Sequence, residues 1–356
     1  MKKLLNENAH NMFMRKAIIL AAKGKGNVSP NPMVGCIIVK KNKIIGAGYH
    51  KIFGGPHAEI EALKDCASPS GSDMYVNLEP CCHYNKKTVP CVPEIIKAGI
   101  KRIFVAMKDP NPNVNGRGLS QLRRSGIRCY VGHLRNEAEK LNETYIKYVT
   151  TNVPFVTLKT AYSFDLKTHA YTGDSRWISS VDSREYVHKM RTDSDGVLVG
   201  IKTVLCDDPA LTSHGAGKNP VRIVLDTHLR IPLSAKILDD KSKTVVATSF
   251  ISDHKKKRVL ENMGIIILEL PLKNKKLDLK RLLSKLAGLN ISSILVEGGE
   301  EVTKSFMEEK LFDRRVIFIC PLIIGRAKKI KDSAAIKQIS VIDSGRDIML
   351  QGDIDV

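Results

Sequence analysis

The sequence predicts an α/β protein of two domains, on three observations. At roughly 100–200 residues per domain, a chain of 356 residues divides most simply into two. The composition is 43% hydrophobic and 26% charged, enough apolar mass for two cores and too much for wholesale disorder. Runs of β-formers alternate with helical spacing along most of the chain, which is the pattern of sheets covered by helices.

Asn11 to Lys23 places Met12, Met14, Ala17, Ile18 and Ala21 at helical spacing and stops at Gly24. Two β-rich runs follow, Val34 to Lys40 and Ile44 to Tyr49, with Lys41-Asn42 as the turn between them. Strands are then expected over Met74 to Leu78, Arg102 to Met107 and Ile127 to Val131. The helices between and after them are expected over His57 to Lys64, Pro93 to Ala98, Leu119 to Arg124 and Glu137 to Tyr148. The polar stretch Thr150 to Pro154 sets a boundary near 150, giving domains over 1–150 and 151–356.

A new strand, Phe155 to Thr160, opens the second half. Buried strands are expected at Gly196 to Val199, Val221 to Leu225, Thr244 to Ala247, Ile265 to Leu268, Ile294 to Glu297 and Val316 to Cys320. Helices are expected at Ser183 to Arg191, Asp278 to Leu286 and Glu301 to Glu309.

Several function classes drop out. A membrane span needs ~20 apolar residues, and the longest apolar run, Val316 to Gly325, is short and holds Pro321. Fifty-seven Lys and Arg against 37 Asp and Glu leave a formal charge of +20. The lysines are scattered, with runs at Lys255-Lys256-Lys257 and Lys273 to Lys276 flanking expected helices. Aromatic residues are not interleaved with these runs, so no base-stacking platform is visible and nucleic acid is not the expected partner. Met1 to Leu5 begins like a signal peptide, but Asn6-Glu7-Asn8 breaks the apolar core at once. A reducing cytoplasm is expected, where clustered cysteines read first as metal ligands. The isolated Cys36, Cys66, Cys129, Cys206 and Cys320 are expected to be small core residues.

The clustered residues are specific. His57-Ala58-Glu59 precedes Glu79-Pro80-Cys81-Cys82-His83 and then Pro90-Cys91. One His and two Cys thiolates can bind Zn²⁺ and leave the fourth position open for water, whose pKa falls to about 7 on the metal. Glu59, two residues from His57, is near enough to carry a proton from that water to a departing amine. This is the arrangement of zinc deaminases, in which Cys81, directly after Pro80, is the cysteine selected. A closed structural site using His57, Cys81 or Cys82, His83 and Cys91 is the alternative.

Further blocks extend the pattern: Ser29 to Cys36, Gly46 to His50, Gly55 to Glu59, Asn77 to Tyr84 and Asp109-Pro110-Asn111-Pro112. Together they resemble the deaminase half of the bifunctional riboflavin-biosynthesis deaminase/reductases. The resemblance implies a cytidine-deaminase-like α/β sandwich. Its expected substrate is 2,5-diamino-6-(5-phosphoribosylamino)pyrimidin-4(3H)-one, whose 2-amino group is replaced by oxygen. It also places zinc on His57, Cys81 and Cys91, proton transfer on Glu59, and substrate contacts on Asn31, His50 and Lys87. The loop from His83 to Cys91 is one residue longer than is usual in the family and lacks its glycine.

In the second half, Thr157 to Asp165, Gly173 to Ile178, Arg191 to Asp195, Val199 to Thr212 and Val296 to Gly299 resemble the reductase half of the same family, which is similar in fold to dihydrofolate reductase. Read without the family, the Gly298-Gly299 pair at a strand–helix turn is a weak phosphate signal. The resemblance implies NADPH contacts at Ala161, Trp177, Thr203, Asp207, Gly299, Glu300, Glu301, Val302, Thr303, Lys304 and Ser305. Substrate contacts are implied at Ser175, Arg191, Leu211, His214 and Glu297, with Asp207 and Lys159 as candidates for proton handling. Leu166 stands where the family has a turn glycine, and His214 where arginine is common.

The expectation is a cytoplasmic enzyme of two consecutive riboflavin-pathway steps, zinc-dependent deamination and then NADPH reduction of the ribosyl group to ribityl. Its partner is a phosphorylated pyrimidine, and its oligomeric state, a homo-oligomer included, is left open. The alternatives are a deaminase with a weakened reductase half, a zinc deaminase of nucleic-acid bases, and a non-catalytic zinc-stabilised binding protein.

Overall fold

The computed structural model describes residues 2–83, 89–170, 178–328, 334–344 and 347–355. The chain divides into two compact units, residues 1–154 with 286–292, and residues 155–285 with 293–356.

The first unit runs α1 (Lys2–Ala22), β1 (Gly35–Lys40), β2 (Lys43–Tyr49), α2 (Ala58–Lys64), β3 (Asp73–Leu78), α3 (Cys91–Lys97), β4 (Arg102–Met107), α4 (Arg117–Arg124), β5 (Arg128–Val131), α5 (Arg135–Leu141) and α6 (Glu143–Thr151). Its sheet has the order β2-β1-β3-β4-β5, antiparallel where β1 pairs with β2 and β3 and parallel from β3 to β5. Lys41 and Asn42 both take positive φ, as a two-residue hairpin turn requires. The strands bury an apolar core of Ile37, Ile38, Met74, Val76, Ile103 and Val105, with Met14 and Ala17 of α1 and Leu119 and Leu122 of α4 packed into it. Close approach is written into the sequence as glycine. A Cβ on Gly48 of β2 would stand 2.4 Å from Ala62 N and 2.6 Å from Ala58 O, so only glycine lets α2 lie against the sheet.

Two elements differ from expectation. The first helix begins at Lys2 rather than Asn11, because Lys2 to His10 contains good helix formers without an apolar stripe. The helix expected over Glu137 to Tyr148 is two helices. Asn142, 1% exposed, breaks it and pairs with both backbone groups of Met33, accepting from its N–H at 2.8 Å and donating to its carbonyl at 2.9 Å.

The second unit contains β6 (Phe155–Ser163), α7 (Val181–Asp193), β7 (Gly196–Gly200), α8 (Ile201–Asp207), β8 (Val221–Leu225), β9 (Thr244–Ser249), α9 (His254–Asn262), β10 (Ile266–Leu270), the short pair β11 (Leu272–Lys273) and β12 (Lys276–Leu277), α10 (Leu279–Gly288, of which 286–288 fall in the first unit), β13 (Ser293–Val296), α11 (Glu300–Glu308) and β14 (Arg314–Cys320). Its main sheet, in the order β10-β9-β8-β7-β13-β6-β14, is parallel at each pairing. That accounts for the nearly continuous apolar runs of β7, β8 and β9, which are buried on both faces. Beyond it, β15 (Leu322–Ile323), β16 (Ala334–Ser344) and β17 (Asp347–Asp355) form a three-stranded sheet for which the sequence carried no expectation.

Lys255-Lys256-Lys257 lies inside α9 rather than beside a helix, and Lys257 is 5% exposed, its Nζ bonded to Glu269 and Phe250 O. Cys206 is exposed and so is not a core residue. Among the described residues, no helix is long and apolar enough to cross a membrane.

Candidate active sites

In the first unit, three chain segments converge. His57 is the N-cap of α2, held extended at φ −77° and ψ 161°, so its ring and the Glu59 side chain stand at the same helix end. Cys81 follows β3, and Cys91 opens α3. The two cysteines are tied through the backbone: the N–H groups of Cys91 and Val92 donate to Cys81 O at 3.1 and 3.2 Å.

As a result, His57 Nδ1 lies 3.4 Å from Cys81 Sγ and 3.3 Å from Cys91 Sγ, and all three donor atoms fall within 4.8 Å of one another. One imidazole and two sulfurs at this spacing suit a tetrahedral Zn²⁺. Cys82 is not in this set. His83 lines the neighbouring cavity without joining the three donors, so among the described residues no fourth ligand converges.

That cavity, of about 330 Å³, is also lined by Asn31, His50, His57, Glu59 and Cys81. Glu59 is 3% exposed. Burial first, and then the neighbouring Cys81 sulfur, push its carboxyl above the ordinary glutamate range, and His57 partly opposes them. His50 Nδ1 donates to Pro56 O at 2.9 Å. Asn31 then donates its Nδ2 to His50 Nε2 at 3.1 Å, leaving its carbonyl oxygen to face a ligand. Lys87 lies outside the described residues.

Several functional positions were not singled out from sequence. Glu79, 3% exposed, accepts from the N–H of Gly116 at 2.8 Å, Leu119 at 3.1 Å and Asp109 at 3.3 Å, so it caps α4 and anchors the turn leading to Cys81. Asp109 and Asn111 line the cavity. Their motif was visible in sequence, but its place was not. Tyr145 and Phe53 also line it, and neither carried any local signal.

In the second unit a cleft of about 1790 Å³ opens along the sheet. Lys159, Ala161, Arg191, Thr203, Asp207, Leu211, His214, Glu297 and every residue from Gly299 to Ser305 line it. Ser175 and Trp177 lie outside the described residues. Gly299 is the N-cap of α11 and lines the cleft, and a Cβ there would meet only Thr203 Oγ1, at 3.9 Å. A helix start at the cleft wall suits a cofactor phosphate, with Glu300 and Glu301 of its first turn opposing one.

Arg191 is not a free fork. Its Nε and Nη2 donate to Glu297 at 2.6 and 3.0 Å, and Nη1 donates to Thr212 O at 3.0 Å. Burial pushes the Glu297 carboxyl up, but Arg191 overcomes this and holds it below the usual range. Leu166 adopts φ +59°, so the turn glycine's left-handed conformation is kept by a leucine that is 69% exposed. The turn closes nonetheless, because Asp165 accepts from Ser163 Oγ, Ile324 N and Gly325 N.

Residues 7–107 match the family model for the cytidine and deoxycytidylate deaminase zinc-binding region, and residues 154–349 match that for the RibD C-terminal domain. The riboflavin biosynthesis protein RibD of Aquifex aeolicus is 41% identical over 350 residues, covering 95% of this chain and 96% of that protein. Its counterpart from Bacillus amyloliquefaciens is 42% identical over 317 residues, covering 88% and 85%. Among solved structures, Acinetobacter baumannii RibD superposes with a TM-score of 0.83 at 33% identity, covering 98% of this chain and 100% of that one. The diaminohydroxyphosphoribosylaminopyrimidine deaminase/5-amino-6-(5-phosphoribosylamino)uracil reductase of Thermotoga maritima gives 0.81 at 34%, covering 97% and 98%.

Proposed function

The chain belongs to the RibD family of riboflavin-biosynthesis proteins, and from that premise we propose how its residues divide two reactions. The enzyme is bifunctional, a zinc-dependent deaminase and an NADPH-dependent reductase. We assign the first reaction to residues 1–150 and the second to residues 151–356.

In the first, 2,5-diamino-6-(5-phosphoribosylamino)pyrimidin-4(3H)-one takes up water and loses its 2-amino group as ammonia. His57, Cys81 and Cys91 would hold zinc, a Lewis acid that makes hydroxide available near neutral pH. Glu59 receives the proton of the attacking water and returns it to the departing amine. Its burial supports this, because a carboxyl pushed upward can both accept and donate. Asn31, fixed by His50, offers its carbonyl to an N–H of the pyrimidine edge. Lys87 is assigned to the phosphate by chemistry alone.

In the second reaction, NADPH when bound would provide the hydride chemistry that opens the ribosyl group at C1′ to ribityl. Ala161, Thr203, Asp207 and Gly299 to Ser305, with Trp177, would hold the cofactor. Arg191, Leu211, His214, Glu297 and Ser175 hold the substrate. Lys159 or Asp207 delivers the proton that accompanies ring opening. Eight cysteines without a disulfide fit a cytoplasmic enzyme.

The observation that carries this reading is the convergence of His57, Cys81 and Cys91 beside buried Glu59. The test supplies the diaminopyrimidinone to zinc-loaded protein, then adds NADPH. Ammonia followed by NADPH oxidation is expected. Ammonia alone would leave only the deaminase, and neither signal would defeat the reading.

A further inference from the structure

His188 of α7 and His214 stack face to face in the second unit's cleft, with ring centroids 4.2 Å apart and planes 21° from parallel. The loop that carries His214 is built to hold it there. Buried Ser213, 1% exposed, donates its N–H to Asn219 Oδ1 at 2.9 Å and its hydroxyl to Gly217 O at 2.6 Å. Leu211 and His214 both take left-handed φ, at 50° and 49°.

The charges facing the pair come from two elements. Arg191 and Arg184 stand on α7 with His188, and Glu297 follows β13, with Lys159 of β6 adding to the field at Glu297. Arg191 is neutralised by its bidentate pairing to Glu297, and Arg184 Nη1 donates to Ser179 O at 2.5 Å. Lysines and arginines line the rest of the cleft, Lys159 and Arg184 among them, and an imidazolium would add a cation at the His188–His214 end itself. Burial, followed by Arg191 beside His214 and by His214 and Arg191 beside His188, lowers both rings' hold on a proton, with Glu297 opposing this at His188.

We propose that the His188–His214 stack is the phosphate-responsive end of the reductase cleft, one imidazole taking a proton from solvent when a phosphomonoester docks, so that substrate capture is coupled to proton uptake. This rests on the reductase reading above. One proton is consumed and no bond in the ligand changes: neutral imidazole plus H⁺ gives imidazolium, paired with the phosphate oxygens. Two stacked rings bear one such charge more readily than two. His188 is thereby a positioning residue for the substrate phosphate.

Ribose 5-phosphate is the probe, titrated calorimetrically into the full-length protein in PIPES and in imidazole buffer near neutral pH, with ribose as the control. The expected result is a buffer-dependent heat that reports proton uptake, with affinity falling up to about tenfold per pH unit between about pH 6 and about pH 8. His214→Arg should bind without pH dependence, and His188→Gln/His214→Gln should lose the uptake while keeping its NADPH affinity, which checks that it is folded. In steady state the pH effect should appear in KM and not in kcat. Buffer-independent heat in the wild type, equal uptake in the double variant, or no heat with ribose 5-phosphate overturns the proposal. Proton uptake without NADPH oxidation on the deaminated substrate would defeat the reductase reading and leave this site standing. NADPH oxidation without uptake would do the reverse.

Discussion

Tyr145 of α6 donates a hydrogen bond of 2.8 Å to Asp109, joining a residue after β4 to one from a distant helix at the wall of the deaminase cavity. Burial raises the Asp109 carboxyl to about 6, against bonds from the Asn111 N–H and Tyr145. A carboxyl raised in the folded state favours folding below its unfolded pKa and loses that advantage as pH climbs from about 4 to about 6. Asp109→Asn should therefore gain stability relative to wild type across that window, by roughly 2–3 kcal/mol at pH 7. Urea titrations at the two ends of the window check this. A constant difference between variant and wild type would contradict it.

Glu79 satisfies three backbone N–H groups with one carboxylate. Glu79→Ala leaves the buried N–H groups of Asp109 and Leu119 without it, and with about 1–3 kcal/mol for each the first unit should lose at least about 2 kcal/mol. Zinc content should fall with it, since Cys81 follows two residues later. Thermal denaturation and metal analysis read the two effects.

Metal stoichiometry separates the cysteines. Cys81→Ser and Cys91→Ser should purify with little zinc, and Cys82→Ser should keep about one equivalent, as a three-ligand site predicts. Zinc lost from the Cys82 variant would make the centre a closed one.

Glu59→Ala should retain zinc and lose at least ~100-fold in deamination, the lower end for a positioned proton carrier. Reduction of pre-deaminated substrate should be untouched. Full ammonia release would remove Glu59 from its role.

Leu166 pays for a left-handed backbone that the family's glycine adopts freely. Leu166→Gly should raise second-unit stability by about 0.5–1 kcal/mol, the αL penalty less glycine's entropy. Chemical denaturation of the two proteins measures the difference.

Much of this was written locally. Alternation of apolar runs located β4 and β8 to the residue, because a buried strand imprints its period on its own side chains. The His-x-Glu and Pro-Cys spacings picked out the three residues that converge, since each sits at the start of a helix or just beyond a strand. What could not be read was anything made by distant partners. Asn142 splits a helix to serve Met33, 109 positions away, and its own neighbourhood still reads as continuous helix. Arg191 is read in sequence only as a substrate contact, and its pairing with Glu297, 106 positions on, leaves no local trace. Such pairings depend on which backbones the sheet brings side by side, and no periodicity within a dozen residues encodes that.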